Sequence, residues 1–303
     1  MASPFTSLFT NQLDFQQSNQ TYRGRFAPSP SGPLHLGSLV AALASYLQAK
    51  SLDGLWFVRI EDIDKPREQA GAKTQILDAL EAFGMNWDRD ANTESDLIPE
   101  DRNCLVQTHR LERYLAIFEQ MRSSGMLYAC QCSRKQIRAH GGLYPGTCRE
   151  LALPFENNAI RLKQATPILE FVDGLFQRVE IAPEFAGEDY ILKRRDGLFA
   201  YQLVVVIDDI DQGITEVVRG ADIMTLTPRQ LSLYQLLGFP APNFVHLPLL
   251  VEKPGFKLSK QNHAAPINVT DPKQELLTAM GLLGLPLFDE LNDLSIPQLI
   301  DWG

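Results

Sequence analysis

The chain has 303 residues, 45% of them hydrophobic and 21% charged, with a formal net charge of −9. That length and apolar content build a globular protein with a sizeable core, as one large domain or two smaller ones. The acidic balance excludes a protein that coats nucleic acid by net attraction, although Arg134, Lys135, Arg138 and Arg149, and then Lys193, Arg194 and Arg195, leave room for a local basic face.

Residues 1–20 contain no Lys or Arg and so have neither the basic start of a signal peptide nor the arginines of a transit peptide; they read as a loose N-terminal extension. The longest strongly apolar runs, such as Leu203 to Ile207, fall far short of the roughly 18 residues of a membrane helix. Four cysteines without an export signal imply a reducing compartment, and the cytoplasm is expected.

Tyr22 to Ala27 is β-prone and meets Pro28, Pro30, Gly32 and Pro33, after which Leu36, Leu39, Val40, Leu43 and Leu47 recur at helical spacing. A helix aimed out of a strand end presents unpaired N–H groups and a positive dipole end, which suits a nucleotide phosphate. His35 stands at that mouth beside Gly37, though proline and glycine could also be shaping a plain loop. Gly54 to Ile60 predicts a buried strand that ends in Glu61-Asp62-Ile63-Asp64, placing carboxylates where open α/β sheets bind ligands. Ala70 to Phe83 predicts a helix closed by Gly84, and Leu111 to Met121 another closed by Gly125.

From about 100 to 190 the alternation lapses, and it returns with Ala200 to Ile207, a near-continuous apolar run expected to be a strand entering Asp208-Asp209. That acidic pair suits metal ligands or, more ordinarily, a helix cap or structural acceptor. Val217 to Arg219 predicts a short strand. Thr227-Pro228 opens a helix carrying Leu231, Leu233, Tyr234 and Leu237 and ending at Gly238. Phe244 to Val251 leads past Pro254 and Gly255 into Lys257-Leu258-Ser259-Lys260, two ammonium groups flanking a hydroxyl, a set able to hold a polyphosphate; Lys273 to Leu283 predicts a last helix. The pattern is that of an α/β protein, a Rossmann-like doubly wound parallel sheet split by an insertion. The expected divisions are 1–20 as the N-terminal extension, 21–100 and 191–270 as the two catalytic halves, 101–190 as the insertion, and 271–303 as a small helical tail.

Cys130, Cys132 and Cys148 lie in a Gly-rich stretch and suit a closed tetrahedral zinc site, against the plainer reading of reduced core thiols. Spacing leaves the fourth ligand open between His140, the chemically commoner choice, and Tyr144. Cys104 stands alone and is expected in packing.

Taken together, RFAPSPSGPLHLGS (25–38) and KLSK (257–260) resemble the His-x-Gly-His and Lys-Met-Ser-Lys-Ser signatures of class I aminoacyl-tRNA synthetases. RIEDID (59–64), RRDGLFAYQL (194–203), VVRGAD (217–222) and HLPLL (246–250) are similar to the glutamyl branch, and the resemblance runs from about Arg23 to about Pro266. It is strongest to the truncated glutamyl-Q tRNA(Asp) synthetase group, which lacks an anticodon-binding domain. The resemblance implies an ATP-dependent ligase that binds glutamate through Arg25, Phe26, Ala27, Pro28, Ser29, Glu61, Tyr201 and Arg219. It implies that His35, Gly37, Ser38, Lys257, Ser259 and Lys260 hold ATP with Mg2+, His35, Lys257 and Lys260 being catalytic, and that Cys130, Cys132, Tyr144 and Cys148 hold one structural zinc. A monomer is expected, with tRNA(Asp) bearing queuosine as its partner.

The chemistry of the residues agrees. Carboxylate and ATP are both anions, so activation needs fixed cations stronger in the transition state than in the ground state, and no side-chain nucleophile. Arg25 and Arg219 suit carboxylates, Glu61 an ammonium, and Tyr201 and Ser29 supply hydroxyls. Two positions depart from the signatures: Ser38 replaces the second histidine and Gln261 the final serine. Altered ATP contacts are expected there. A nucleotidylyltransferase shares the His-x-Gly motif but has no need of the glutamate-type residues, and a catalytically idle glutamate or tRNA binder has no need of His35 and Lys260.

Overall fold

In the computed structural model the chain begins with β1 (Arg23–Phe26), α1 (Leu36–Ser51), β2 (Leu55–Ile60), α2 (Ala72–Ala82) and β3 (Leu105–Val106), the expected strand-helix-strand-helix opening. It continues through α3 (Leu111–Ser123), β4 (Leu127–Cys130), α4 (Arg134–Ala139), β5 (Ala159–Leu162), β6 (Glu170–Asp173), β7 (Gln177–Glu180), α5 (Pro183–Ala186), β8 (Ile191–Lys193) and α6 (Tyr201–Gln212). Then come β9 (Glu216–Gly220), α7 (Thr227–Leu237), β10 (Asn243–Leu247), β11 (Val251–Lys253), β12 (Phe256–Lys257), α8 (Pro272–Leu282) and α9 (Ile296–Trp302). The structure describes Phe5, 21–253, 256–257 and 265–303. These form two compact units, one made of 21–107, 214–222 and the described residues from 243 onward, the other of 108–213 and 223–242.

The first unit is built on parallel strands. β1 pairs with β2 and β2 with β3, while β9 pairs with β10. Thr215 and Arg23 join β9 to the free side of β1: the Thr215 N–H donates to the Arg23 carbonyl at 2.9 Å, and the Arg23 N–H donates to the Thr215 hydroxyl at 2.9 Å. The order across the sheet is therefore β3-β2-β1-β9-β10. The chain reverses direction across the sheet between β1 and β9, and at such a switch point the carboxyl ends of the strands open a crevice.

Trp56 to Ile60 are buried without alternation, as a strand covered on both faces requires. The Trp56 indole N–H donates to Ser45 Oγ on α1 at 2.9 Å, so this large ring is buried without losing its hydrogen bond. α1 contributes Leu39 and Leu43 to a core that also takes Ile76 and Leu80 from α2, Leu276 and Met280 from α8, and Leu299 from α9. Gly84 ends α2 at φ +75°, and a Cβ there would stand 3.0 Å from Ile296 Cγ2, so both backbone and space demand glycine.

In the second unit β4, β5 and β8 form an antiparallel sheet, and β6 and β7 a hairpin. One expectation is overturned here. The apolar run from Ala200 to Ile207 is not a strand: Tyr201–Gln212 is helical, capped by Gly213 at φ 62°. Leu203 through Ile210 are all buried, so no polar face breaks the run, and a wholly buried helix and a buried strand look alike in sequence.

Asp208 and Asp209 consequently sit inside a helix, not at a strand end. Asp208 accepts from Arg110 Nε at 2.9 Å and from the Tyr114 hydroxyl at 2.9 Å, and Asp209 accepts from the Tyr234 hydroxyl at 3.3 Å. They are structural acceptors.

Candidate active site and metal centre

His35 caps the start of α1 with an extended backbone, and its Nδ1 accepts the Ser38 N–H at 3.2 Å. An accepting Nδ1 places the proton of the neutral ring on Nε2, which lies 3.1 Å from Ser38 Oγ. Ser38, the departure from the histidine signature, is thus bonded to the histidine that remains. No acidic side chain stands in the first turn of α1, so the positive end of its dipole is not offset there.

Beyond the lysine loop the chain comes back to this point. Pro266 bridges His35, and the Ile267 N–H donates to the Leu34 carbonyl at 3.0 Å. The backbone of Lys257 lies in β12, paired antiparallel with β11. The Lys257 side chain, Ser259 and Lys260 lie outside the described residues. Gly37 is the second residue of α1.

The residues expected at glutamate cluster by strand. Arg25 is on β1, Glu61 follows β2 directly, and Arg219 is on β9; all three are buried, at 3%, 7% and 6% exposure, although charged groups bury only when held. The Glu61 N–H donates to the Pro28 carbonyl at 3.0 Å, tying the exits of β2 and β1 together. Ser29 and Glu61 line one small cleft with Pro30, Asp62 and Asp64. Phe26 stacks on Trp56 with centroids 6.5 Å apart, and Ala27 and Pro28 continue from it into the loop. Tyr201 belongs to the other unit, where it opens α6.

Two buried partners were not in the expected set. Arg59 Nη2 lies 3.4 Å from Glu61 Oε1, and Arg219 Nε–H donates to His246 Nε2 at 3.0 Å. Arg59 is inside an otherwise apolar strand. His246 shares the buried face of β10 with Phe244, a period-two signal that the sequence does contain.

In the second unit the sulfurs of Cys130, Cys132 and Cys148 all lie within 4.8 Å of one another, the Cys132–Cys148 pair at 3.5 Å. Thiolates at about 2.3 Å from a tetrahedral zinc would be separated by about 3.8 Å, so this set fits a metal ion. The buried Tyr144 hydroxyl accepts the Cys148 N–H at 2.7 Å, which sets it beside that cysteine. His140, at the end of α4, is exposed and outside the thiol group. Burial and the adjoining Cys148 and Cys130 push the Cys132 thiol up to about 12. Cys104 is buried in the core of the first unit, as expected.

The description "tRNA synthetases class I (E and Q), catalytic domain" matches residues 21–294. A Vibrio parahaemolyticus protein named glutamyl-Q tRNA(Asp) synthetase is 50% identical over 282 residues, covering 93% of this chain and 91% of that protein. A Shewanella oneidensis protein of the same name is 53% identical over 263 residues, covering 87% and 84%. Among solved structures, the glutamate-tRNA synthetase of Elizabethkingia anophelis superposes with a TM-score of 0.73 at 28% identity, covering 93% of this chain and 65% of that one. A glutamate tRNA ligase from Elizabethkingia meningosepticum, solved with its amino acid, gives 0.68 at 29%, covering 80% and 52%. This chain thus spans from about half to just under two thirds of those structures. With the parallel sheet, the histidine-capped helix and a match over nearly its whole length, the chain belongs to the class I tRNA synthetases of the E and Q type and is a ligase of that class.

Proposed function

We propose that the protein activates L-glutamate with ATP, without needing tRNA, and passes the glutamate to queuosine in the anticodon of tRNA(Asp). The observation that carries this reading is the convergence of Arg25, Glu61 and Arg219 at the carboxyl ends of β1, β2 and β9, in a chain about half identical to proteins named for that reaction. An arginine on a carboxylate and Glu61 on the ammonium would fix the amino acid, with the Ser29 hydroxyl in the same cleft as Glu61.

Its α-carboxylate oxygen would attack the α-phosphorus of ATP, forming the acyl-phosphate bond as the bond to pyrophosphate breaks. Charge builds on the phosphate oxygens at that moment. His35 through Nε2–H, the start of α1, Lys257 and Lys260 are the donors assigned to it; Mg2+ bound with ATP would add charge neutralisation. A hydroxyl of the acceptor then attacks the activated carbonyl and AMP leaves. Queuosine offers a cis-diol for this step. The thiols of Cys130, Cys132 and Cys148, with Tyr144, would hold one structural zinc. All four cysteines are free of disulfides, in keeping with a reducing cytoplasm, and no described helix is long and apolar enough to cross a membrane.

ATP–pyrophosphate exchange across the amino acids tests the first half. Glutamate should support exchange without tRNA, and glutamine should be rejected because its amide leaves a buried arginine unmatched, at a cost of roughly 2 to 4 kcal/mol. Equal exchange with glutamine would sink the pocket assignment.

A further inference from the structure

Tyr144 lies between Gly142 and Gly146, both at positive φ, in a stretch that is neither helix nor strand, yet it is only 5% exposed. Side chains from other parts of the same unit hold it there. The Glu188 carboxylate, between α5 and β8, accepts the Tyr144 N–H at 2.8 Å through one oxygen and pairs with Arg229 of α7 through the other. The guanidinium of Arg161, on β5, lies over the Tyr144 ring, its carbon 3.7 Å from the centroid. Arg161 Nη1 donates in turn to the Asp189 carbonyl at 2.6 Å. The Asp189 carboxylate accepts the Tyr128 hydroxyl at 2.7 Å, on the strand that ends in Cys130, and pairs with Arg149, the neighbour of Cys148, at 3.2 Å.

Glu188 and Asp189 thus grip the cysteine centre from behind on both sides. Groups behind the ligands of a metal fix the ligands' orientation, and losing one typically costs about ten- to a hundredfold in metal affinity. The place of a phenol hydroxyl depends on where the main chain carries the ring and on how the ring is turned. Glu188 sets the first and Arg161 the second. Its ion pair with Arg229 anchors Glu188 while the other oxygen stays on the Tyr144 N–H.

We propose that Glu188 is a positioning residue for the metal centre: by holding the main chain at Tyr144 it keeps the phenol hydroxyl beside Cys148, preset as the fourth ligand. This rests on the reading of Tyr144 as a zinc ligand, given above. What matters is the acceptor for the Tyr144 N–H, not the negative charge.

Removing Glu188 alone would strand the largely buried Arg229, whereas replacing both members of such a pair by apolar groups is close to neutral. The full-length test proteins therefore all carry Arg229→Met. With Glu188→Gln the amide oxygen can still accept the Tyr144 N–H; with Glu188→Met it cannot. Zinc transfer to a coloured chelator should be about tenfold faster or more in the Met protein than in the Gln protein. After Co2+ substitution the ligand-field bands of the Met protein should move to those of Tyr144→Phe, with the thiolate charge-transfer band kept because all three thiols remain. Adding Tyr144→Phe to both proteins should shrink the difference in transfer to less than about threefold, since residues that act through one another are not additive. Glu188→Ala in the same background replaces the Met protein if that one does not fold.

Equal transfer in the Gln and Met proteins would overturn the proposal. So would a difference of the same size with Tyr144→Phe present, the mark of general loosening of the unit. If Tyr144→Phe alone transfers zinc as the parent does, or the parent holds no zinc, the reading of Tyr144 as a ligand fails and the proposal falls with it. That result is seen before position 188 is changed and is distinct from the other two.

Discussion

Asp208 is fully buried and receives the guanidinium of Arg110 at 2.9 Å together with the Tyr114 hydroxyl, while Arg110 Nη2 also reaches Asp211 and Arg113 pairs with Asp211 at 2.7 Å. Removing one partner of such a network strands a buried charge. Asp208→Ala should therefore destabilise the protein by about 3 to 5 kcal/mol, whereas an exposed pair such as Arg122–Glu119 is worth under about 1 kcal/mol. Urea unfolding at fixed metal content measures both; a loss below about 1 kcal/mol for Asp208→Ala would mean that the network contributes little.

At this scale the sequence revealed residue type more readily than partner. Arg25, Glu61 and Arg219 could be named because each closes a β-prone run and carries the charge a zwitterionic diacid needs. Their settings could not. Arg59 meets Glu61 two residues further along β2 and its exit, whereas His246 meets Arg219 between strands, and only the register of β9 and β10 brings that pair together. The departure at Ser38 was legible as a change, but its bond to His35 follows from the cap geometry of α1.

Elements with punctuation were read closely. α7 was expected from Thr227-Pro228 to Gly238 and spans Thr227–Leu237; β2, expected over Gly54 to Ile60, spans Leu55–Ile60. α6 was misread because burial on all sides erased its period, and its β-branched valines favoured the wrong state.

The cysteine centre lies between these cases. Spacing singled out the three cysteines and left His140 against Tyr144; the fold brings the three sulfurs together, sets the Tyr144 hydroxyl on the Cys148 N–H and leaves His140 exposed. Zinc analysis of freshly purified protein should find one ion per chain, lost in Cys148→Ser along with stability of the cysteine-bearing unit. Tyr144→Phe should weaken zinc retention under a chelator, and His140→Ala should leave it unchanged. Metal-free protein as purified would refute the assignment, and the opposite ranking of the two variants would move the fourth ligand.

For the whole molecule the open question is how a chain of net charge −9 engages a polyanion. Its cations are grouped: Arg134, Lys135 and Arg138 stand exposed on or beside one face of α4, and Arg195 is exposed in the turn after β8. Binding through such groups is local and releases counterions, so affinity for tRNA should fall steeply with salt. The acceptor itself is decided by chemistry, because the terminal adenosine and queuosine both present a cis-diol to the adenylate. Under the proposed function the diol that reacts is that of queuosine. Three substrates separate the two acceptors: tRNA(Asp) carrying queuosine, the same tRNA without it, and queuosine-bearing tRNA trimmed of its 3′ end. Transfer of labelled glutamate should survive trimming and vanish without queuosine. If trimming abolishes transfer while loss of queuosine does not, the acceptor is the terminal adenosine, and the protein charges tRNA in the ordinary way.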